Sequence, residues 1–237
     1  MHRPYSSYLF YTIFPVRCII CNQVLLGKKV PVQNICSSCL RRIFREQLGR
    51  NTCSVCGRSL ISEMGVCMYC RRRSFHFCTH ISLFEYEGSI KLLMKKYKFS
   101  GYRQIAWIWA AVIHGYLRDH AVCVPVVPVP GRKKSIRKRG WDQVELVASL
   151  LEHRYHHSVM RLLRRSSGKS QKVLSYEERM TNMKGQIMVK GKEKPEKVLL
   201  LDDIFTTGAT LDECARVLIN YGVKHADALT IARTPIV

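Results

Sequence analysis

Two adjacent carboxylates, Asp202 and Asp203, stand between four apolar residues and a run of small and hydroxyl side chains in VLLLDDIFTTGAT, residues 198–210. The order reads as a strand (Val198 to Leu201), an acidic pair, a loop (Thr206-Thr207-Gly208-Ala209-Thr210) and the start of a helix. A helix N-terminus offers unpaired backbone N–H groups and partial positive charge, so it is a natural seat for a phosphate. Gly208 lets the backbone approach closely, and the three threonine hydroxyls add hydrogen bonds. At the carboxyl end of a strand, Asp202 and Asp203 are placed to take sugar hydroxyls or a hydrated Mg²⁺. The P-loop pattern GxxxxGK[ST] is absent, which excludes a P-loop NTPase. An ordinary strand–loop–helix unit with an exposed Asp pair is the plainer alternative.

Metal chemistry is the second signal. Eight of the eleven cysteines form four C-x-x-C knuckles: Cys18/Cys21, Cys36/Cys39, Cys53/Cys56 and Cys67/Cys70. Two intervening residues place both thiolates on one side of a tight turn, half of a tetrahedral S₄ site. Gaps of 14 and 10 residues within the couples are compatible with zinc ribbons. Sequential pairing gives two structural Zn²⁺ ions, one on the first four cysteines and one on the last four, although spacing leaves crossed sharing open. Disulfides would need an oxidising compartment, and redox C-x-x-C centres occur singly. The region is too poor in apolar residues to fold unaided, so metal is expected to supply its folding energy. Of the isolated cysteines, Cys123 in an apolar run and Cys214 on a helix face read as core. His76, Cys78 and His80 alternate as on a structural strand at a domain boundary. His153, His156 and His157 read as polar surface.

The formal charge is +22 over 237 residues, and it is spread along the chain: residues 1–82 carry 12 Lys and Arg against 2 acids, and residues 83–237 carry 27 against 15. Such a field favours polyanions, whether nucleic acid, phosphorylated ligands or anionic membrane. No segment reaches the ~18 apolar residues of a membrane span. The apolar run YLFYTIFPV (Tyr8–Val16) lacks a basic start and a cleavage site, so it reads as structural and the protein as cytoplasmic.

The elements that must position these groups change character after residue 82, from knuckles to alternating strands and helices. The division is therefore a ribbon domain, 1–82, and an α/β domain, 83–237. Ile90, Leu93, Met94 and Tyr97 keep helical spacing over 89–98, and a Trp-rich helix follows to Leu117. Residues 122–129, VCVPVVPV, read as a buried strand with two prolines limiting its pairing. Asp142-x-x-Glu145, Ser175-x-x-Glu178 and Thr210-x-x-Glu213 have capping-box form. The last of these helices stops at Gly222, and Ala226 to Ala232 is a final strand. Alternating strands and helices indicate a mostly parallel sheet with flanking helices, whose ligands bind beyond the strands' carboxyl ends. Two basic segments, Gly131–Gln143 and Arg161–Lys172, read as mobile loops able to clamp a pyrophosphate; a solvated basic face is the alternative. Tyr69, Phe75 and Phe77 are available for base stacking, with packing of the small zinc domain the favoured reading.

The segment 198–210 closely resembles the phosphoribosyl-pyrophosphate (PRPP) motif of type I phosphoribosyltransferases. Further matches are FEYEG (Phe84–Gly88), KFSG (Lys98–Gly101), VPVP (Val127–Pro130), RGWDQ (Arg139–Gln143) and Gln171-x-x-Leu174-Ser175-x-x-Glu178-Arg179. Together they resemble the ComF/GntX family, which couples an N-terminal zinc ribbon to a phosphoribosyltransferase-like domain. The similarity covers nearly the whole chain and points to the competence branch, needed for DNA uptake in natural transformation. It implies that Asp202 and Asp203 hold the ribose hydroxyls and stabilise charge developing on the ring. It also implies that Thr206, Thr207, Gly208, Ala209 and Thr210 wrap the 5′-phosphate, and that Mg²⁺ accompanies PRPP or a related phosphosugar. Arg132 and Lys133 are expected at the pyrophosphate. Basic ribbons imply single-stranded DNA, a competence helicase or other DNA-uptake proteins as partners. Active transfer of the phosphoribosyl group to a nucleobase or other small acceptor stays open. The family's usual RGFNQ is RGWDQ here, and its frequent Thr is Gly168. Asp142 would disfavour anion contact, so it reads as a helix cap.

Overall fold

A computed structural model describes residues 16–25, 34–49, 51–166 and 185–235. Tyr8 to Phe14, Gly168 and the segment Gln171 to Arg179, with its capping-box pattern, lie outside the described residues.

Four parallel strands form the central sheet in the order β1-β6-β5-β2: β1 (His80–Glu85), β6 (His225–Arg233), β5 (Lys197–Phe205) and β2 (Val126–Pro128). The run VLLL becomes β5 because a central parallel strand is buried on both faces and needs no polar alternation. Leu199 and Leu201 of β5, with Leu229 and Ile231 of β6, point to one face. Val198 and Leu200, with Ala226 and Ala228, point to the other. The first face is covered by α2 (Gly88–Phe99), α3 (Ala106–Asp119) and α5 (Gln143–Tyr155). The second is covered by α6 (Ala209–Tyr221) and a small antiparallel pair, β3 (Leu163–Arg165) and β4 (Ile187–Val189).

The zinc-ribbon half is not a separate bead. Cys18, Ile19, Ile35, Cys39 and Ile43, which include part of α1 (Ser37–Arg45), join the core of the first face. Cys53, Cys56, Cys67, Cys70 and Phe77 join the core of the second. The two ribbons therefore pack with opposite sides of one sheet. β1 straddles the compositional division at 82/83.

Several expectations change. The run 122–129 contributes only Val126–Pro128 to the sheet, because Pro125 has no N–H to pair, and Cys123 is exposed rather than core. Thr210 lies inside α6, whose cap is Gly208; Glu213 pairs instead with Arg216 and accepts from the Gly185 N–H at 2.7 Å. His76 and Cys78 precede β1, and the His76 N–H is taken by a carboxylate rather than a neighbouring strand. The basic stretch after Arg132 is α4 (Lys133–Arg139), ended by Gly140 at φ +80°, not a loop. Arg161 is committed to Glu145 at 2.7 Å and Glu152 at 2.8 Å. Asp142 does cap α5, accepting from Val144 at 3.0 Å and Glu145 at 3.3 Å, and Cys214 is fully buried.

Candidate functional site

The carboxyl ends of β5 and β2 meet the N-terminus of α6, and the acidic pair sits at that junction. Successive residues on a strand face opposite ways, and here this separates the two carboxylates chemically. Asp203 is buried on the first face, where it accepts hydrogen bonds from Lys98 Nζ at 2.8 Å and from Gln143 Nε2. Asp202 is half-buried on the second face, and one of its oxygens accepts the Asp203 N–H at 2.8 Å. Burial first, and the Asp203 charge second, push the Asp202 carboxyl up to about 7. Burial and then the charge of Arg132 disfavour the Arg165 cation, whereas Asp202 favours it. Arg132, Arg165 and Asp202 thus share one electrostatic neighbourhood. Lys133 is exposed, and no hydrogen bond or ion pair joins it to the acidic pair among the described residues.

The loop that follows is shaped by Gly208. Its φ of +82° is left-handed, and a Cβ there would come within 2.9 Å of Phe75 and 3.0 Å of Phe205. Thr206 is exposed, Thr207 and Thr210 are half-buried, and Ala209 is buried. Thr207 Oγ1 accepts from the Ala209 N–H at 3.4 Å.

Lys98 and Gln143 are site residues that sequence reasoning missed, although both lie within quoted motifs, KFSG and RGWDQ. In the second motif Trp141 packs edge-on against Tyr97 at 4.7 Å, Asp142 caps α5, and Gln143 holds Asp203. Tyr97 is fully buried and donates its hydroxyl to the Gln143 carbonyl at 2.7 Å. Burial, then the charges of Asp203 and Asp142, raise its phenol far above the ordinary range. Phe75 and Phe77 stack on each other at 4.8 Å, and Phe77 meets His80 edge-on. They pack toward the phosphate-sized loop as well as the ribbon. Burial, then the Arg233 charge, hold His80 down to about 3, so it is a neutral ring stacked on Phe205 at 4.2 Å.

The cysteines assemble into two four-sulfur clusters, Cys18/Cys21/Cys36/Cys39 and Cys53/Cys56/Cys67/Cys70, with sulfurs within 4.8 Å of one another. Pairing is therefore sequential. Tetrahedral zinc with Zn–S of ~2.3 Å requires sulfurs about 3.8 Å apart. Cys21 to Cys36 and Cys56 to Cys67 both measure 3.8 Å, far beyond disulfide bonding. N–H groups of Cys36 and Cys67 point at Cys18 and Cys53 sulfurs at 3.4 and 3.3 Å, which favours thiolate. Burial opposes ionisation of Cys18, but backbone hydrogen bonds from Cys21, Cys36 and Ile20 bring it down to about 6. The donor sets fit two structural zinc sites with no open coordination position.

Residues 9–75 match the family model of the double zinc ribbon domain, and residues 161–236 that of the phosphoribosyl transferase domain. The chain is 27% identical over 216 residues to competence protein ComFC of Bacillus subtilis (strain 168), covering 86% of each chain. It is 24% identical to ComFC of Streptococcus pneumoniae, covering 92% of this chain and 100% of that one. It is also 24% identical to the DNA utilization protein YhgH of Escherichia coli (strain K12), covering 93% and 98%. A hypoxanthine phosphoribosyltransferase structure from Staphylococcus aureus superimposes with TM-score 0.32 at 16% identity, over 56% of this chain and 65% of that one, too loosely to support an inference. A double zinc ribbon joined to a phosphoribosyltransferase-like parallel sheet is thus the class that fold and site define. Within it the chain is ComFC-like, with distant relatives along most of its length that are named competence protein ComFC and DNA utilization protein YhgH. Among the described residues, no helix is long and apolar enough to cross a membrane.

Proposed function

We propose that this chain serves DNA uptake or utilization by binding Mg²⁺·PRPP, or a related phosphosugar, at Asp202 to Thr210. The basic zinc-ribbon surface meets single-stranded DNA or a competence helicase or other DNA-uptake protein, in the cytoplasm. The observation that carries this reading is the placing of Asp202 beside a left-handed Gly208 loop at the N-terminus of α6. Asp202 is the carboxylate available to ribose hydroxyls or to water on Mg²⁺, which supplies charge neutralisation at the pyrophosphate. Asp203 already answers Lys98 and Gln143, so its role is to hold the strand end and the Lys98 cation beside the ligand. The 5′-phosphate is received by N–H groups and hydroxyls of residues 206–210, and Arg132, whose charge, like that of Asp202, is felt at Arg165, is the cation for the pyrophosphate.

The relatives' names support the DNA side of the reading, and the exposed Arg71, Arg72 and Arg73 beside the second cluster supply cations for a phosphate backbone. Titration with Mg²⁺·PRPP tests the site: binding is expected in the wild type and lost in Asp202→Ala/Asp203→Ala. Unaltered binding in that variant removes the proposal. DNA affinity should fall steeply across a salt series; a flat response rules out backbone contact. The match of residues 161–236 to a transferase domain favours, as a second reading, transfer of the phosphoribosyl group to a small acceptor. Pyrophosphate release with a panel of bases tests it.

A further inference from the structure

The second ribbon reaches the phosphate loop directly. Five residues after Cys70, the last thiol of its cluster, the chain lays Phe75 against Gly208, where a Cβ would lie 2.9 Å from the Phe75 ring. The contact continues as an aromatic relay. Phe75 stacks on Phe77 at 4.8 Å, Phe77 meets His80 edge-on at 6.3 Å, and His80 stacks on Phe205 at 4.2 Å. Both ends of that relay touch Gly208, because Phe205 would also lie 3.0 Å from its Cβ. A polar tie stands beside it. Asp212, in the first turn of α6, accepts the His76 backbone N–H at 2.6 Å, and His76 Nδ1 lies 3.0 Å from the same oxygen.

These contacts have two consequences for an anion on the α6 N-terminus. The rings fix the left-handed turn at Gly208, so the loop N–H groups are aimed before the ligand arrives. The His76 donors satisfy a carboxylate that would otherwise repel an anion seated on the same helix end. The strap that makes both contacts is anchored by the Cys53/Cys56/Cys67/Cys70 cluster, whose cysteines share one apolar core with Phe205, Ala209 and Leu211. The first cluster packs in the other core, away from this loop.

We propose that Phe75 and His76 are positioning residues of the phosphosugar site, so that the second zinc ribbon sets the affinity of the loop and bound phosphosugar in turn protects that ribbon's zinc. This rests on the PRPP reading above. Linkage makes the effect reciprocal: whatever factor the strap adds to ligand affinity, the ligand adds to retention of the strap's anchored form.

The test uses the full chain, loaded with zinc, and Mg²⁺·PRPP as the probe. Phe75→Ala is expected to weaken binding about tenfold, within the usual range of coupling between sites. Phe75→Tyr, which keeps the ring, is expected to restore wild-type affinity, and zinc content should be unchanged in both. A fold-only role would lower zinc content or Tm together with affinity in Phe75→Ala, whereas a positioning role lowers affinity alone. Should Phe75→Ala lose zinc, the wild type alone still decides. At equilibrium with a colorimetric chelator, release of one of its two zincs should require about tenfold more free chelator when Mg²⁺·PRPP is saturating. Wild-type affinity in Phe75→Ala, or zinc release indifferent to PRPP in a wild type that binds it, overturns the coupling. A wild type that shows no PRPP binding at all overturns the site reading, and the coupling with it.

Discussion

Asp202→Asn should stabilise the protein while removing its ligand, and the pH dependence of that gain is its signature. Burial and Asp203 move the Asp202 carboxyl from 3.8 to about 7 in the folded chain. Below pH 3.8 both folded and unfolded chains carry the proton, and Asp202 costs nothing. Between pH 3.8 and about 7 the unfolded chain has released the proton and the folded chain retains it, so stability falls as pH rises. Above about 7 the loss is complete. The displacement corresponds to roughly 4 kcal/mol. Partial access to water reduces the observable share to about 2 kcal/mol. Asn keeps an oxygen to accept the Asp203 N–H and never ionises. Its Tm advantage should therefore be small near pH 4, grow to several degrees by pH 7 and then level off. Paired thermal melts of wild type and variant across pH 4–8, without Mg²⁺, measure it. A Tm difference that is constant over that range, or that shrinks toward pH 8, refutes the burial argument.

Three further outcomes follow from the same geometry. Lys98→Met strands the buried Asp203 charge, so it should cost about 3 kcal/mol in urea unfolding, and adding Asp203→Asn should recover much of the loss. Gly208→Ala meets a left-handed φ and two aromatic rings at once; about 2 kcal/mol of stability should be lost in the same assay, with weaker PRPP binding in calorimetry. Cys53→Ser should lower bound zinc from two per chain to one by elemental analysis and reduce Tm, because its cluster belongs to the core that holds α6.

The sequence made the parallel sheet and both metal clusters legible for a shared reason: each is written in local pattern. VLLL marks a strand buried on both faces, and C-x-x-C spacing marks each half-site, while the sequential pairing of the halves is seen only in the structure. What escaped was tertiary. Nothing in the spacing of Lys98 or Gln143 says that either meets Asp203, which lies more than fifty residues from both. The two Asp residues read as an equivalent pair, yet strand alternation sends them to different faces and different partners. Cys123 read as core because its neighbours are apolar, but Pro125 starts the strand too late to bury it. Phe75 read as packing for the ribbon; its contact with Gly208 depends on how the second ribbon docks, which no local pattern encodes.

Asp202 to Thr210 are the proposed phosphosugar seat. An experimental structure of the zinc-loaded chain with Mg²⁺·PRPP tests it most directly. The 5′-phosphate is expected on the N–H groups at the start of α6, with a ribose hydroxyl or a Mg²⁺-bound water on Asp202. Ligand seated elsewhere, for instance in the roughly 850 Å³ cavity between Phe44, β1 and Tyr116, with the Gly208 loop vacant, would contradict it.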